Sequence, residues 1–250
     1  MLPGKSKFGY FQAEKETFLN IASELGLKKV HEQPERYARH PLVFLVEAAD
    51  DICYEIMDIE DAHKLKILDT TQTFELLLNF FDPVKDKAFF ESKNQIFEEV
   101  SDLNEQVAYL RASVIGKLIR ETAQVFIDHH DKILEGAYTQ SLIKGIEGKS
   151  EEAFEKCKNV AVRNIYNHKS VVKIELTGFN VLGTLLDEFI TAIFSPDSDY
   201  SKKILSILPS QFSVEGHSFY KKSMSVVDFV SGMTDLYAVD LYKDIKGINL

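Results

Sequence analysis

Residues 39–68 read RHPLVFLVEAADDICYEIMDIEDAHKLKIL, and the way this stretch winds decides the fold. Pro41 suits the first turn of a helix, where its missing N–H is no loss. Neither Gly nor Pro follows until Pro83, so a helix of about twenty residues is expected from Pro41. At about 100° per residue two stripes separate. One is apolar: Leu45, Ala49, Ile52, Ile56 and Ile59. Roughly opposite lie Glu47, Asp50, Tyr54, Asp58 and Asp61. On most helices an acidic stripe simply faces water. Here Val43 and Met57 edge it, Val46 and Cys53 lie just beyond, and Phe44 sits on the other side. A helix apolar nearly all round is usually buried, and a row of buried carboxylates is costly unless it meets cations or hydrogen-bond donors. The second stripe therefore reads as a carboxylate-lined pocket wall.

The chain around this helix is helical too. It has 250 residues, 45% of them apolar, enough for a sizeable core. Twelve Gly and six Pro are few for that length and favour long helices over turns. Phe18, Ile21, Ala22 and Leu25 give a short amphipathic helix that Gly26 can cap. Lys28 to His40, with Pro34, is expected to be a loop, ending in Arg36, Arg39 and His40 at the mouth of the central helix. Thr70 or Thr71 can cap a helix carrying Phe74, Leu77, Leu78 and Phe81. Ser101 can cap a longer one, with Val107, Leu110, Val114, Leu118 and Ile119 at helical spacing, continuing through Phe126 and Ile133 towards Leu142. Arg111 and Lys117 on it could reach a phosphate if they faced the pocket.

Ser150 is the expected cap of a further helix, with Glu151 and Glu152 in its first turn and Val160, Val162 and Ile165 along it; Asn167-His168 breaks the pattern. Residues 171–194 form a strongly apolar helix, Pro196 and Pro209 bracket a short one, and a final helix runs from about Ser225 to Ile245. Strand signals are negligible, and the expected class is all-α.

A formal charge of −10 disfavours broad contact with nucleic acid. Cys53 and Cys157 both fall in helical patterns, which points to reduced thiols and a cytoplasmic setting. No apolar run is expected to approach the roughly 18 residues of a membrane span, and Met1-Leu2-Pro3-Gly4-Lys5 does not begin a signal peptide.

The segment EAADDICY (47–54), with IxDxED at 56–61, resembles the signature of the bacterial dGTP triphosphohydrolases. These are HD-domain deoxynucleotide hydrolases, a group that includes the vertebrate SAM-and-HD-domain enzyme. The family spacing D-x3-Y-x3-D is met by Asp50, Tyr54 and Asp58. The resemblance implies that Asp50 closes a metal site while Tyr54 and Asp58 hold the deoxyribose. KSKFGYF (5–11), RNIY (163–166) followed by 169–189, and 228–247 resemble the same enzymes as packing patterns, with no catalytic role assigned. By this resemblance the fold is a multi-helical HD-type bundle, C-terminal portion only. Residues 1–82 would end the catalytic core and 83–250 form the C-terminal helical region of one all-helical unit.

The resemblance also marks what the pattern lacks. An HD site needs two His and an adjacent Asp before its last Asp, because several N and O ligands converge on the metal. Only His31 and His40 precede Asp50, and neither is followed by Asp. His129-His130-Asp131 is no ready chelate, since neighbouring side chains on a helix diverge by about 100°. The vertebrate relative carries Lys directly after its metal Asp, where this chain has Asp51, so one phosphate contact is lost.

The complete enzyme would hydrolyse a dNTP such as dGTP to deoxynucleoside and triphosphate with Mn²⁺ or Mg²⁺. This chain alone would neither turn over nor bind the metal tightly; it would need the missing N-terminal HD portion and would self-associate as a homo-oligomer. The competing reading is a non-catalytic all-helical interaction or oligomerisation protein derived from the same family.

Overall fold

A computed structural model describes residues 9–32 and 35–248 of the chain. The expectations placed on Met1–Phe8 and on Pro34 lie outside those residues. The described chain is all-α apart from one short antiparallel pair, β1 (Lys29–His31) and β2 (Arg36–Tyr37), within the expected loop. It divides into two compact units, residues 1–167 and 168–250. Residues 82 and 83, where the sequence suggested a division, lie inside the first.

The first unit holds α1 (Lys15–Glu24), α2 (Pro41–Lys64), α3 (Thr70–Leu78), α4 (Lys87–Glu99), α5 (Leu103–Asp128), α6 (His130–Leu134) and α7 (Lys149–Val160). Helix α2 is the expected central helix. His40 caps it, its Nδ1 accepting from the Leu42 N–H at 3.2 Å. Its buried stripe is Phe44, Ala48, Ile52, Ile56, Ile59 and Ala62. The apolar stripe expected from the sequence is thus right at Ile52, Ile56 and Ile59 and wrong towards the N-terminus, where Leu45 and Ala49 are exposed. Phe44 turns inward instead because Tyr138 takes its ring edge-on at 5.6 Å. Ile52, Ile56 and Ile59 join Leu110, Val114 and Leu118 of α5 in one core, each such burial stabilising by roughly 1.5–3 kcal/mol.

Side-chain chemistry sets the helix starts, and it moves three expected caps. Asp69 rather than Thr70 caps α3, its Oδ1 accepting from the Gln72 N–H at 2.8 Å. Asp102 rather than Ser101 caps α5, accepting from the N–H groups of Asn104 and Glu105. Gly148 (φ +74°) rather than Ser150 precedes α7; Ser150 is buried and donates to Glu121 at 3.0 Å. The long pattern read towards Leu142 is interrupted at His129, followed by the short α6 and a 3-10 turn at Leu142–Gly145. Helix α4 has no counterpart in the sequence reading. It buries no residue fully and rests Phe89, Phe90 and Phe97 partly against the core.

The second unit contains α8 (Lys169–Phe194), α9 (Asp199–Ser206), α10 (Phe219–Ser231) and α11 (Asp235–Lys246). Against the expectation that no apolar run approaches a membrane span, α8 is long and apolar enough to cross one by length and composition. Its Val181, Leu185 and Phe189 form a core with Val226, Phe229, Val230, Ala238 and Leu241. The single final helix expected after Ser225 is two helices, separated at Gly232-Met233 and restarted by the Thr234 cap.

Candidate functional site

Helix α2 brings Asp50, Tyr54 and Asp58 to one face, because their spacing of four carries each only about 40° round from the last. Asp50 is exposed and Tyr54 is 61% exposed, whereas Asp58 is half-buried. Between and beside them the same face shows Leu42, Val43, Val46, Cys53 and Met57 to solvent. Apart from the buried Phe44, the flanks that suggested a buried helix are therefore uncovered in this chain. Two hollows among the described residues lie elsewhere, one at the α5–α6 junction and one at the α2–α3 turn.

A residue with no role assigned from the sequence completes the arrangement. The Tyr166 hydroxyl donates to Asp58 Oδ2 at 2.7 Å, and the Tyr54 and Tyr166 rings stand 6.4 Å apart between centroids. Tyr166 owes its position to the π-helical turn Ala161–Ile165 that extends α7; its own N–H closes back on the Ala161 carbonyl at 2.9 Å. Wide turns of this kind re-aim the residues after them and recur at functional sites. The sequence signal was the pattern break at Asn167-His168, directly after RNIY.

Burial pushes the Asp58 carboxyl up, the Tyr166 hydrogen bond opposes this, and the charge of Asp61 adds to it. The Tyr166 phenol is itself pushed up, by burial first and then by its bond to Asp58. A carboxylate offers about four acceptor positions, so Asp58 can hold Tyr166 and still accept from a second hydroxyl.

Arg39, Arg111 and Lys117 are held in ion pairs. Arg39 pairs with Glu47 and lies over the Phe44 ring at 4.7 Å. Arg36 sits in β2. Arg111 Nε meets Glu60 at 2.5 Å and Lys117 Nζ meets Asp86 at 2.8 Å, so both candidate phosphate contacts on α5 are spent on ion pairs. His130 Nδ1 stands 3.1 Å from Asp131 Oδ1, and the His129 ring packs 4.9 Å from Tyr138. Among the described residues no group of three or more His, Cys, Asp and Glu side chains is placed to hold a metal ion.

Two buried glutamates accompany the face. Glu60 is 6% exposed and receives Arg111 and Lys64. Glu55, 7% exposed, has its Oε1 sealed without a hydrogen-bond partner.

Residues 145–244 match the family model of the phosphohydrolase-associated domain. The chain is 34% identical over 252 residues to the deoxyguanosinetriphosphate triphosphohydrolase-like protein of Synechocystis sp., covering 99% of this chain and 54% of that protein. It is 29% identical over 249 residues to the protein of the same description from Pseudomonas aeruginosa, with 97% and 54% covered. To the deoxyguanosinetriphosphate triphosphohydrolase of Salmonella arizonae it is 28% identical over 281 residues, again with 97% and 54% covered. The chain thus spans about half the length of the curated relatives it matches. The likeness first read from EAADDICY extends over nearly all of it.

Proposed function

We propose that this chain, akin along nearly its whole length to the dGTP triphosphohydrolase-like proteins, supplies one wall of a deoxynucleoside triphosphate site and works only when the remaining half of such a protein covers α2. The observation that carries the reading is the face of α2, where Asp50, Tyr54 and Asp58 stand at the family spacing and Tyr166 engages Asp58. In it, Tyr54 and Tyr166 pack against a deoxyribose and Asp58 accepts from its hydroxyl. Asp50 gives one carboxylate ligand to a divalent ion, Mn²⁺ or Mg²⁺.

The donor set of this chain alone does not fit such an ion. A single exposed carboxylate without imidazole neighbours is a poor anchor for a transition metal, so no metal-dependent step is assigned to it. The exposed stripe Leu42, Val46, Cys53 and Met57 supports a covering segment, since apolar side chains gathered in the open on one helix face mark an interaction surface. The same stripe favours a second reading, an interaction protein that keeps the helix without the chemistry.

The experiment compares the purified chain with a chimera that joins the upstream half of the Synechocystis relative to it. Each is incubated with the four dNTPs and Mn²⁺ or Mg²⁺. Triphosphate release by the chimera, abolished by Asp50→Ala, is the expected result, with none from the chain alone. A folded chimera that is inactive with every dNTP favours the interaction reading.

A further inference from the structure

Helix α2 carries two buried glutamates with opposite surroundings. Glu60 is neutralised by Arg111 at 2.5 Å and Lys64 at 3.0 Å. Glu55 is as deeply buried, yet Oε1 lacks a donor. An ionised carboxylate is costly in such a place, because no donor replaces the hydration that the sealed Oε1 has lost.

Glu55 lies where α2 meets α7. The charged and titratable groups that face it are Asp58 from its own helix and Glu155, Cys157 and Lys158 from α7. Two of these are carboxylates, and Lys158 is shared with Glu155 at 3.4 Å. Cys157 is fully buried, and its thiol is pushed up to about 12 by burial first and then by Glu55. Helix α7 runs directly into the π-helical turn that places Tyr166 on Asp58.

We propose that Glu55 is a proton-operated latch between α2 and α7: as the neutral acid it lets the two helices close over Cys157, and as the carboxylate it loosens them and the turn that presents Tyr166. The latch is a property of the packing in this unit and does not depend on the nucleotide reading. Only its consequence, a pH-dependent seating of Tyr166 on Asp58, would reach the proposed site.

Burial first, and Asp58 second, push the Glu55 carboxyl up from 4.5 to about 7. When the helices part, the group returns to its ordinary value, so opening releases a proton between about pH 4.5 and 7. The open population then rises up to tenfold per pH unit through that window and levels off above it.

Cys157 reports the opening. With Cys53→Ser it is the only thiol left, since the chain has two cysteines. Its rate of reaction with 4,4′-dithiodipyridine is measured from pH 5 to 8 in this background, with and without Glu55→Gln. The ratio of the two rates cancels the thiol's own ionisation, because Gln stays neutral throughout. The ratio should rise roughly ten- to hundredfold between pH 5 and 7 and then flatten. A ratio independent of pH would overturn the latch. Should Glu55→Gln fail to fold, carbon NMR titration of the glutamate carboxyls in the unaltered chain decides the matter. A Glu55 midpoint near 7 supports the latch, and one below 5 removes it.

Discussion

The Tyr166 hydroxyl reaches across 108 residues of sequence to donate to Asp58 Oδ2 at 2.7 Å. This bond ties the end of the α7 extension to the face of α2 and gives a half-buried carboxylate its donor. Without it, Asp58 would keep its desolvation and the repulsion of Asp61 and lose what opposes them.

Tyr166→Phe should therefore cost about 0.5–1.5 kcal/mol of stability. Asp58→Ala should cost at least as much. In a double-mutant cycle by urea unfolding the two costs should not add, because each removes the same bond. Full additivity would mean that the bond contributes nothing in solution.

Global stability should follow the protonation of Glu55. The folded state holds the proton more tightly than the unfolded chain, whose glutamates titrate near 4.5, so between about pH 4.5 and 7 the folded state binds more protons. Stability is then highest at the acid end of this window and declines as pH rises through 7. The span contributed by this group is on the order of 3 kcal/mol. Urea midpoints measured against pH should fall along this limb, and Glu55→Gln should flatten it.

The α2–α5 core should be intolerant of truncation. Leu110 and Ile56 are fully buried on facing helices, so Leu110→Ala or Ile56→Ala should cost about 2–5 kcal/mol in chemical denaturation. A loss below ~0.5 kcal/mol at both positions would contradict the packing described.

Gly145 ends the 3-10 turn that lies on α5, where an added Cβ would stand 2.5 Å from Val125 Cγ1. Gly145→Ala should therefore destabilise by about 1–3 kcal/mol through overpacking. Val125→Ala should relieve part of that cost in the double variant, as thermal melts would show.

In an assembled and active protein, Asp50→Ala should abolish triphosphate release at every dNTP concentration, since it removes the proposed metal carboxylate. Asp58→Asn should chiefly narrow the preference for a deoxyribose over an analogue lacking the sugar hydroxyl, because it alters an acceptor rather than a ligand. Steady-state comparison of the two nucleotides separates the outcomes.

Local chemistry decided much of this protein within the sequence itself. Pro41 and the absence of Gly and Pro to residue 83 determined α2, and the four-residue spacing determined that Asp50, Tyr54 and Asp58 share a face. The all-α class and the bracketing of α9 by Pro196 and Pro209 were legible for the same reason. Each depends on backbone preferences that act over a few residues.

What tertiary structure alone decided depends on which partner arrives. Leu45 and Ala49 are as apolar as Ala48, yet Tyr138 turned Phe44 inward and rotated the buried stripe away from them. Arg111 and Lys117 could have faced a phosphate, but Glu60 and Asp86 claimed them. Glu55 and Glu60 are the same residue type one and a half turns apart on one helix; only the approach of α5 and α7 made one a paired ion and the other a sealed acid. Tyr166 met Asp58 because a π-helical turn at the end of α7 delivered it to the face of a helix 108 residues earlier in the chain. Such pairings join residues distant in the chain, and their free energy exists only once the core has brought them together.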